Sequence, residues 1–152
     1  MILSRAILSA TIALAFPCVV WADFTGKVIA IADGDTITVM RDREQIKVRL
    51  VEIDAPKKAQ AFGNRSKQSL SDLCFNKTAT LADKGKDRYG RTLARVQCDG
   101  VDANAEQVRR GMAWVYDRYV TDRSLYRLQD EARACRLMLK RCRYWRRAKR
   151  FR

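Results

Sequence analysis

Residues 24–56 read FTGKVIAIADGDTITVMRDREQIKVRLVEIDAP, a stretch rich in valine, isoleucine and threonine. Such residues favour strands, and two turn signals, Asp33-Gly34 and residues 41–44, divide the stretch into three runs. Because both connections are short, neighbouring runs are expected to pair antiparallel. Proline cannot donate to a sheet ladder, so Pro56 ends the third strand. The predicted strands are Val28–Ile31, Thr36–Met40 and Ile46–Ile53.

Beyond Pro56 the pattern alternates between helices and strands. Apolar residues at helical spacing predict a helix over residues 62–74, and a polar, glycine-containing loop is expected over residues 84–90. Asp102 is placed to cap a short helix that runs through Met112, and another helix is expected from Asp122. The two further predicted strands are Thr78–Ala82 and Thr92–Gln97.

This order of elements favours an α+β, mainly β, architecture. Five strands with a helix between the third and the fourth are typical of a five-stranded OB-type Greek-key barrel with about three packed helices. The last helix carries an apolar stripe, which predicts packing on the core and not a functional face. The stripe consists of Leu125, Leu128, Ala132, Cys135 and Leu139.

The first 22 residues have the pattern of a signal peptide. Arg5 supplies a positive start, residues 6–20 are almost wholly apolar, and Val20 and Ala22 fit the −3 and −1 positions of a cleavage site. A membrane anchor is the alternative, but the run is short of the roughly 20 residues that a span needs. We therefore expect export, to the periplasm or outside the cell, without stable membrane insertion. The predicted organisation is a signal peptide (1–22), one domain (23–140) and a basic tail (141–152).

Cleavage would leave four cysteines, an even number that favours disulfides in an oxidising compartment. The chain has no CxxC pair of the kind that binds zinc. Cys135 and Cys142 would lie about 10 Å apart on one unbroken helix, so their pairing requires a break. Cys74–Cys98 is the more plausible pair, since it would tie a helix end to a strand.

The net charge of the protein indicates which classes of molecule it could bind. Lys and Arg number 31 against 17 Asp and Glu, a net charge of +14 that attracts polyanions such as nucleic acid or anionic lipid. The tail adds basic residues interleaved with aromatics, which would suit a sequence-independent contact with phosphates and bases. There is no histidine, so catalysis would depend on other side chains or on a metal.

Four residues have the chemistry of a phosphodiesterase site. Asp35 and Asp54 lie at strand ends, and carboxylates are the ligands that Ca²⁺ prefers. Arg49 lies within an apolar strand, where a guanidinium must face solvent or have a partner, and Arg91 begins another strand. A guanidinium fork matches a phosphate.

Three blocks resemble the signature of the staphylococcal (micrococcal) nuclease family, in the family's order and with similar spacing. They are DGDT at residues 33–36, VRLVEIDAP at 48–56 and DRYGR at 87–91, and EQVRRGMA at 106–113 also resembles a family helix. The likeness spans about residues 24–135. It implies an OB barrel with three helices and a monomeric, Ca²⁺-dependent nuclease. Such an enzyme cuts DNA and RNA, preferably single-stranded or denatured, with little sequence preference, and leaves 3′-phosphates.

The resemblance also implies roles for individual residues. Asp35, Asp54 and the backbone carbonyl of Ala55 would hold Ca²⁺. Arg49 and Arg91 would bind and stabilise the scissile phosphate. The residues expected to contact the nucleotide are Arg88, Tyr89, Tyr116 and Tyr119.

One position departs from the family pattern. A glutamate, the candidate general base, normally follows the proline of the second block, and Lys57 stands there instead. A protonated ammonium cannot accept a proton, and loss of a general base typically costs about 10²–10⁴ in rate. Three interpretations stay open: an attenuated nuclease, a nuclease in which Glu52 supplies the carboxylate, and a nucleic-acid-binding module. A cationic surface-binding protein is a fourth, but it would not explain Asp35 and Asp54 beside two arginines.

Overall fold

The computed structural model describes residues 23–134, which form eight strands and three helices. The strands are β1 (Phe24–Asp33), β2 (Thr36–Arg41), β3 (Glu44–Leu50), β4 (Ile53–Asp54), β5 (Thr78–Lys86), β6 (Thr92–Cys98), β7 (Val101–Asp102) and β8 (Trp114–Val115). The helices are α1 (Gly63–Cys74), α2 (Ala103–Arg109) and α3 (Ser124–Ala134). The predicted leader, the predicted tail and the residues Cys135, Leu139 and Cys142 lie outside the described range.

Strands β1, β2 and β3 form the predicted antiparallel meander. Asp33 pairs with Thr36 across the first turn, and Thr36 pairs in turn with Arg49. This register brings the β1–β2 turn next to the far end of β3. Asp35 and Arg49, fourteen residues apart in the chain, therefore become neighbours.

A parallel pairing closes the sheet into a barrel. The strand order is β3-β2-β1-β5-β6, and β3 also pairs with β6, with Arg49 opposite Leu93. Strand β7 extends the sheet beyond β6, while β4 pairs separately with β8. Five long strands thus form the closed barrel and three helices pack around it, which confirms the predicted fold class.

Alternating side chains of the barrel strands fill the core. Val28, Ile37, Val39 and Val48 are completely buried, as the period of two along each strand requires. The apolar faces of the helices pack against this core, for example through Leu70 of α1 and Leu125 of α3. The stripe predicted on α3 is confirmed for Leu125, Leu128 and Ala132, which are buried.

A disulfide joins Cys74, the last residue of α1, to Cys98 at the end of β6. This is the pair that the sequence favoured. Both sulfurs belong to buried residues, so the bond fixes the helix against the barrel from inside. No helix among residues 23–134 is long and apolar enough to cross a membrane.

The predicted strand over residues 46–53 was wrong in its second half, because the chain breaks at Glu52. This residue has a φ of 63°, in the left-handed region that an L residue rarely adopts. The strand therefore ends at Leu50, and Ile53–Asp54 turns away to pair with β8. A run of apolar residues does not reveal such a break, which depends on hydrogen bonds from a distant segment.

Two other boundaries also differ from prediction. The polar residues at 84–86 belong to β5 and not to a loop, because Gly85 (φ 107°) forms a bulge that lets the strand continue to Lys86. Helix α2 ends at Arg109, earlier than the predicted Met112, and Gly111 follows in the left-handed conformation. The predicted N-cap is confirmed, since Asp102 accepts a hydrogen bond from the Ala105 amide at 3.0 Å.

Candidate functional site

Arg49 joins the two aspartates that the sequence singled out. Its Nη1 donates to Asp35 Oδ1 at 2.6 Å, and its Nη2 donates to Asp54 Oδ1 at 3.0 Å. The three residues come from β3, the β1–β2 turn and β4, so the barrel register and the break at Glu52 both contribute to their convergence. Of the two possibilities expected for an arginine inside an apolar strand, solvent or a partner, the structure shows the partner.

Asp35 is fully buried and yet ionised. Burial acts to raise its pKa, but the positive charges of Arg49 and Lys57 outweigh this effect and hold the pKa at about 2. The hydrogen bond from the Ala55 amide to Oδ2 at 2.9 Å also lowers the pKa. Thr36 Oγ1 donates to Oδ1 at 2.9 Å and helps to orient the carboxylate. The carboxylate is thus fixed in position and in charge.

The side chain of Lys57 also contacts this cluster. Its Nζ lies 3.2 Å from Asp33 Oδ2, and 3.2 and 3.4 Å from the two oxygens of Asp35. The loop that carries it is closed by hydrogen bonds between Lys57 and Gln60 in both directions. Gly63 is required there, since a Cβ at this residue would lie 2.0 Å from the Lys57 carbonyl oxygen.

Asp33 is a member of the cluster that the sequence did not single out. Its Oδ1 accepts from the Asp35 amide at 3.2 Å, while its Oδ2 faces Lys57. Burial and the neighbouring negative charge of Asp35 raise its pKa, and Lys57 opposes that shift. The sequence feature that could have identified Asp33 is its position in the β1–β2 turn, two residues before Asp35.

The turn between β5 and β6 presents Arg91 and Tyr89. Asp87 organises this turn: its Oδ1 accepts from the amides of Tyr89 and Arg91, and its Oδ2 accepts from Arg91 Nε at 2.8 Å. Tyr89 is 68% exposed, with the guanidinium groups of Arg88 and Arg91 at 4.8 and 5.5 Å from its ring centroid. The turn therefore offers a flat ring next to two positive charges.

A second aromatic group lies in the segment after β8, which we define as the wall segment (residues 116–122). The rings of Tyr116 and Tyr119 meet edge to face at 5.1 Å, and Arg118 lies over the Tyr119 ring. Tyr119 is 59% exposed. The wall segment thus repeats the combination of exposed tyrosine and arginine found at the β5–β6 turn.

These two groups border one cleft of about 1200 Å³. Arg49 and Lys57 also line it, whereas the buried Asp35 and Asp54 lie behind them and are not part of the lining. The structure thus brings together all the side chains predicted to act in substrate binding and catalysis. The other predicted residues along the cleft are Arg88, Tyr89, Arg91, Tyr116 and Tyr119, and basic residues missed from the sequence are Lys84, Lys86, Arg95 and Arg118.

Both carboxylate oxygens of Glu52 are engaged by other residues. Its Oε2 accepts from Arg95 Nη1 at 2.8 Å, and its Oε1 accepts from the amides of Thr121 and Asp122 and from the Thr121 hydroxyl. Burial acts to raise the pKa of Glu52, but these hydrogen bonds lower it overall. Its carboxylate is committed to Arg95 and the wall segment, which argues against the alternative in which Glu52 supplies the missing carboxylate.

The oxygen atoms at Asp35, Asp54 and Ala55 have the chemistry of a Ca²⁺ site, since hard cations take carboxylate and carbonyl ligands. Within residues 23–134, no cluster of three or more acidic, histidine or cysteine side chains is arranged around a common metal position. A cation bound to both oxygens of Asp35 would also meet the ammonium of Lys57, which lies within 3.4 Å of each. The donors therefore fit the ion in kind, and Lys57 competes for them.

A family model described as staphylococcal nuclease homologue matches residues 47–140, more than half of the chain. The chain belongs to the staphylococcal nuclease family. Its closed five-stranded barrel with three helices is consistent with that family's OB-type fold. The match includes Arg49, Asp54 and Arg91, while Asp35 lies outside it, before residue 47.

Several known proteins are similar over most of the chain. The micrococcal nuclease of Shigella flexneri is 46% identical over 130 residues, which cover 78% of this chain and 75% of that protein. An uncharacterized endonuclease of Haemophilus influenzae is 50% identical over 111 residues, covering 72% of this chain and 62% of that protein. Protein ParB of Escherichia coli is 41% identical over 150 residues, which cover 90% of this chain and 85% of that protein.

Proposed function

We propose that this protein is a Ca²⁺-dependent phosphodiesterase that hydrolyses DNA and RNA with little sequence preference and leaves 3′-phosphates. The observation that carries the proposal is the placement of Arg49 and Arg91 along one cleft, with the carboxylates of Asp35 and Asp54 directly behind Arg49. Membership of a nuclease family and relatives named as nucleases support it.

Asp35, Asp54 and the Ala55 carbonyl are the residues that would hold the metal. When bound, Ca²⁺ would neutralise charge on the phosphate and favour attack by water. The arginines supply the complementary contribution from the protein. A guanidinium offers donors in a fixed plane, so Arg49 and Arg91 are suited to the oxygens of a phosphate that gains charge in the transition state.

The exposed rings favour single-stranded substrates. Bases in a duplex are stacked on one another, whereas unpaired bases can stack on Tyr89 and Tyr119. Arg88 and Arg118 lie beside these rings and can contact neighbouring phosphates. Readout through stacking and phosphate contacts does not depend on sequence, which agrees with a nuclease of low selectivity.

Lys57 should reduce activity in two ways. Its protonated amine has no lone pair to take a proton from the attacking water. Its contact with both oxygens of Asp35 also places a positive charge where the metal must bind. The same contact favours the second candidate function, a binding module that retains the cleft but hydrolyses nucleic acid slowly or not at all.

We also propose that the protein is exported, to the periplasm or beyond, after removal of residues 1–22. The apolar leader supports this proposal, and so does the buried Cys74–Cys98 disulfide, because such bonds persist in oxidising compartments. A cell fractionation with an antibody against the protein would test it. Recovery of the uncleaved chain from the cytoplasm would contradict export.

The proposed function is tested by release of acid-soluble nucleotides from denatured DNA and from RNA, with Ca²⁺ and with EDTA. Three proteins are compared: the natural protein, Lys57→Glu, and Lys58→Glu, a control with the same change of charge at the next residue. We expect weak Ca²⁺-dependent release by the natural protein and an increase of about 10²–10⁴ for Lys57→Glu alone.

The other outcomes separate the two candidates. Cleavage by Lys57→Glu but not by the natural protein would favour the binding module. Absence of cleavage by all three proteins would contradict the assigned roles of Asp35, Asp54, Arg49 and Arg91. Equal activation by Lys58→Glu would show that general charge, and not the position of the carboxylate, limits the rate.

A further inference from the structure

The wall segment has little regular structure of its own, and yet it forms one side of the cleft. Its residues follow β8 and precede α3. Within it, the Tyr119 amide donates to the Tyr116 carbonyl at 3.0 Å, which makes one turn. Such a segment needs anchors elsewhere if Tyr116 and Tyr119 are to be held at a fixed distance from the opposite side of the cleft.

Glu52 anchors both ends of the wall segment. Its backbone carbonyl accepts from the Tyr116 amide at 2.8 Å. Its side-chain Oε1 accepts from the Thr121 amide at 2.8 Å and from the Asp122 amide at 3.1 Å. The left-handed backbone at Glu52 permits both contacts, since it turns the strand while the side chain faces the wall.

Arg95 completes the anchor from the opposite side of the cleft. It projects from β6, whose first residue directly follows Arg91. Its Nη1 donates to Glu52 Oε2 at 2.8 Å, and its Nη2 donates to Asp122 Oδ2 at 3.1 Å. Its Nε and Nη2 both donate to Asp102 Oδ2. One guanidinium thus joins the strand next to Arg91 to the wall segment.

We propose that Glu52 and Arg95 are positioning residues that fix the distance between the Tyr89–Arg91 side and the Tyr116–Tyr119 side of the cleft. The proposal rests on the proposed function, because the spacing matters through the strand of nucleic acid that the cleft binds. Arg95 lines the cleft but faces three carboxylates, so it acts through the wall and not as a phosphate ligand. The contribution is to binding of the strand, not to the chemical step.

Arg95→Met and Arg95→Lys test this role, with Arg127→Met as the matched control. Arg127 pairs with Glu131 on the exposed face of α3, so its loss removes one positive charge away from the cleft. Arg95→Lys keeps the charge but loses the fork that reaches Glu52, Asp102 and Asp122 together. Comparison of the three variants separates the effect of losing the Arg95 contacts from the effect of losing one positive charge.

Two measurements do not need catalysis. The first is hydrogen–deuterium exchange of peptides that cover residues 116–122, which we expect to be faster in Arg95→Met and Arg95→Lys and unchanged in Arg127→Met. The second is the Kd of a short fluorescent single-stranded oligonucleotide in EDTA. We expect both Arg95 variants to raise it by about tenfold relative to Arg127→Met, the scale of losing one base-stacking contact. Where cleavage is measurable, KM should rise by the same factor and kcat should change by less than about threefold.

Glu52→Gln is the second variant, in case Arg95→Met does not fold. The amide oxygen can still accept from Thr121, while the loss of charge weakens the contact with Arg95, so we expect a smaller change in the same direction. Unchanged exchange in the wall segment, or a Kd for Arg95→Lys equal to that of the natural protein, would overturn the proposal. If the natural protein binds the oligonucleotide but does not cut it, the proposed hydrolysis fails while exchange and Kd still decide the positioning role.

Discussion

Two arginines of the cleft, Arg49 and Arg95, each join several carboxylates, but their surroundings differ. Arg49 contacts Asp35 and Asp54, which are almost completely buried, and Lys57 adds a second cation to the group. Arg95 contacts buried Glu52 and also two side chains that reach water, since those of Asp102 and Asp122 are 31% and 37% exposed. We call these groups the Arg49 cluster and the Arg95 cluster.

The two clusters differ in burial and in the partners that their charged groups can bind. A buried ion pair resists the loss of either partner, because the remaining charge cannot be solvated. The Arg49 cluster nevertheless contains oxygens suited to a metal and two cations that compete with it. The Arg95 cluster connects backbone segments, and partial exposure reduces the strength of its pairs with Asp102 and Asp122, while Glu52 is buried. The Arg49 cluster is therefore suited to binding a metal and a phosphate, and the Arg95 cluster to holding the wall segment in position.

The largest expected difference between the clusters appears when each arginine is replaced by lysine. Arg49→Lys keeps the charge but cannot hold Asp35 and Asp54 in one plane or offer a fork to phosphate, so we expect kcat to fall by about 10²–10³. Arg95→Lys should change kcat by less than about threefold at saturating denatured DNA. Equal losses of kcat would remove the distinction between the two clusters.

A smaller effect should appear in the pH dependence of stability. Asp35 has a pKa of about 2 when folded, against 3.8 for an ordinary aspartate. Its ionised form therefore stabilises the fold above about pH 4, and this contribution of roughly 2 kcal/mol disappears as the pH falls through about 2. Asp35→Asn should show a shallower decline of the free energy of unfolding over that range.

Urea unfolding at several acidic pH values measures this decline. Asp130→Asn, which removes a carboxylate from the exposed side of α3, controls for the general loss of negative charge. Glu52→Gln should also be shallower than the natural protein, because the pKa of Glu52 is lowered in the fold. A decline in Asp35→Asn as steep as that of the natural protein would contradict the assigned charge state of Asp35.

The smallest expected effect is on Ca²⁺ affinity. Lys57→Met removes the ammonium beside Asp35 and leaves the other contacts of that carboxylate, so we expect calorimetry to show Ca²⁺ binding about tenfold tighter. Lys58→Met controls for loss of one surface charge. If the two variants bind Ca²⁺ equally, Lys57 does not compete for the site.

Much of the Arg49 cluster could be predicted from the sequence because its signals are local. Asp35 and Asp54 end strands, and Arg49 interrupts an apolar run, so each is anomalous in its own neighbourhood. Arg95 interrupts the apolar run of β6 in the same way, but its partners are Glu52 and two residues from later segments. Asp102 lies seven residues further along the chain, but nothing near Arg95 indicates that it also meets Glu52 and Asp122.

The fold shows the same division between local and distant causes. Strand pattern and turn residues predicted the meander, and Asp102 predicted the start of α2. The break at Glu52 was not predictable, because the amides of Thr121 and Asp122 that bind its side chain lie about seventy residues further along the chain. The sequence predicts a loop at the Gly85 bulge because glycine and lysine are common in both loops and bulges.

The parallel pairing of β3 with β6 has a consequence for when activity arises. Arg49 and Leu93 are partners in that pairing, so the contact that closes the barrel also brings Arg49 next to the strand that follows Arg91. Contacts between residues so distant in the chain cost loop-closure entropy, which slows their formation. A partly folded chain would have the strands and the carboxylates but no assembled cleft. If the chain crosses a membrane unfolded, as the proposed export implies, the nucleic acid of the producing cell would not meet a working enzyme on the way.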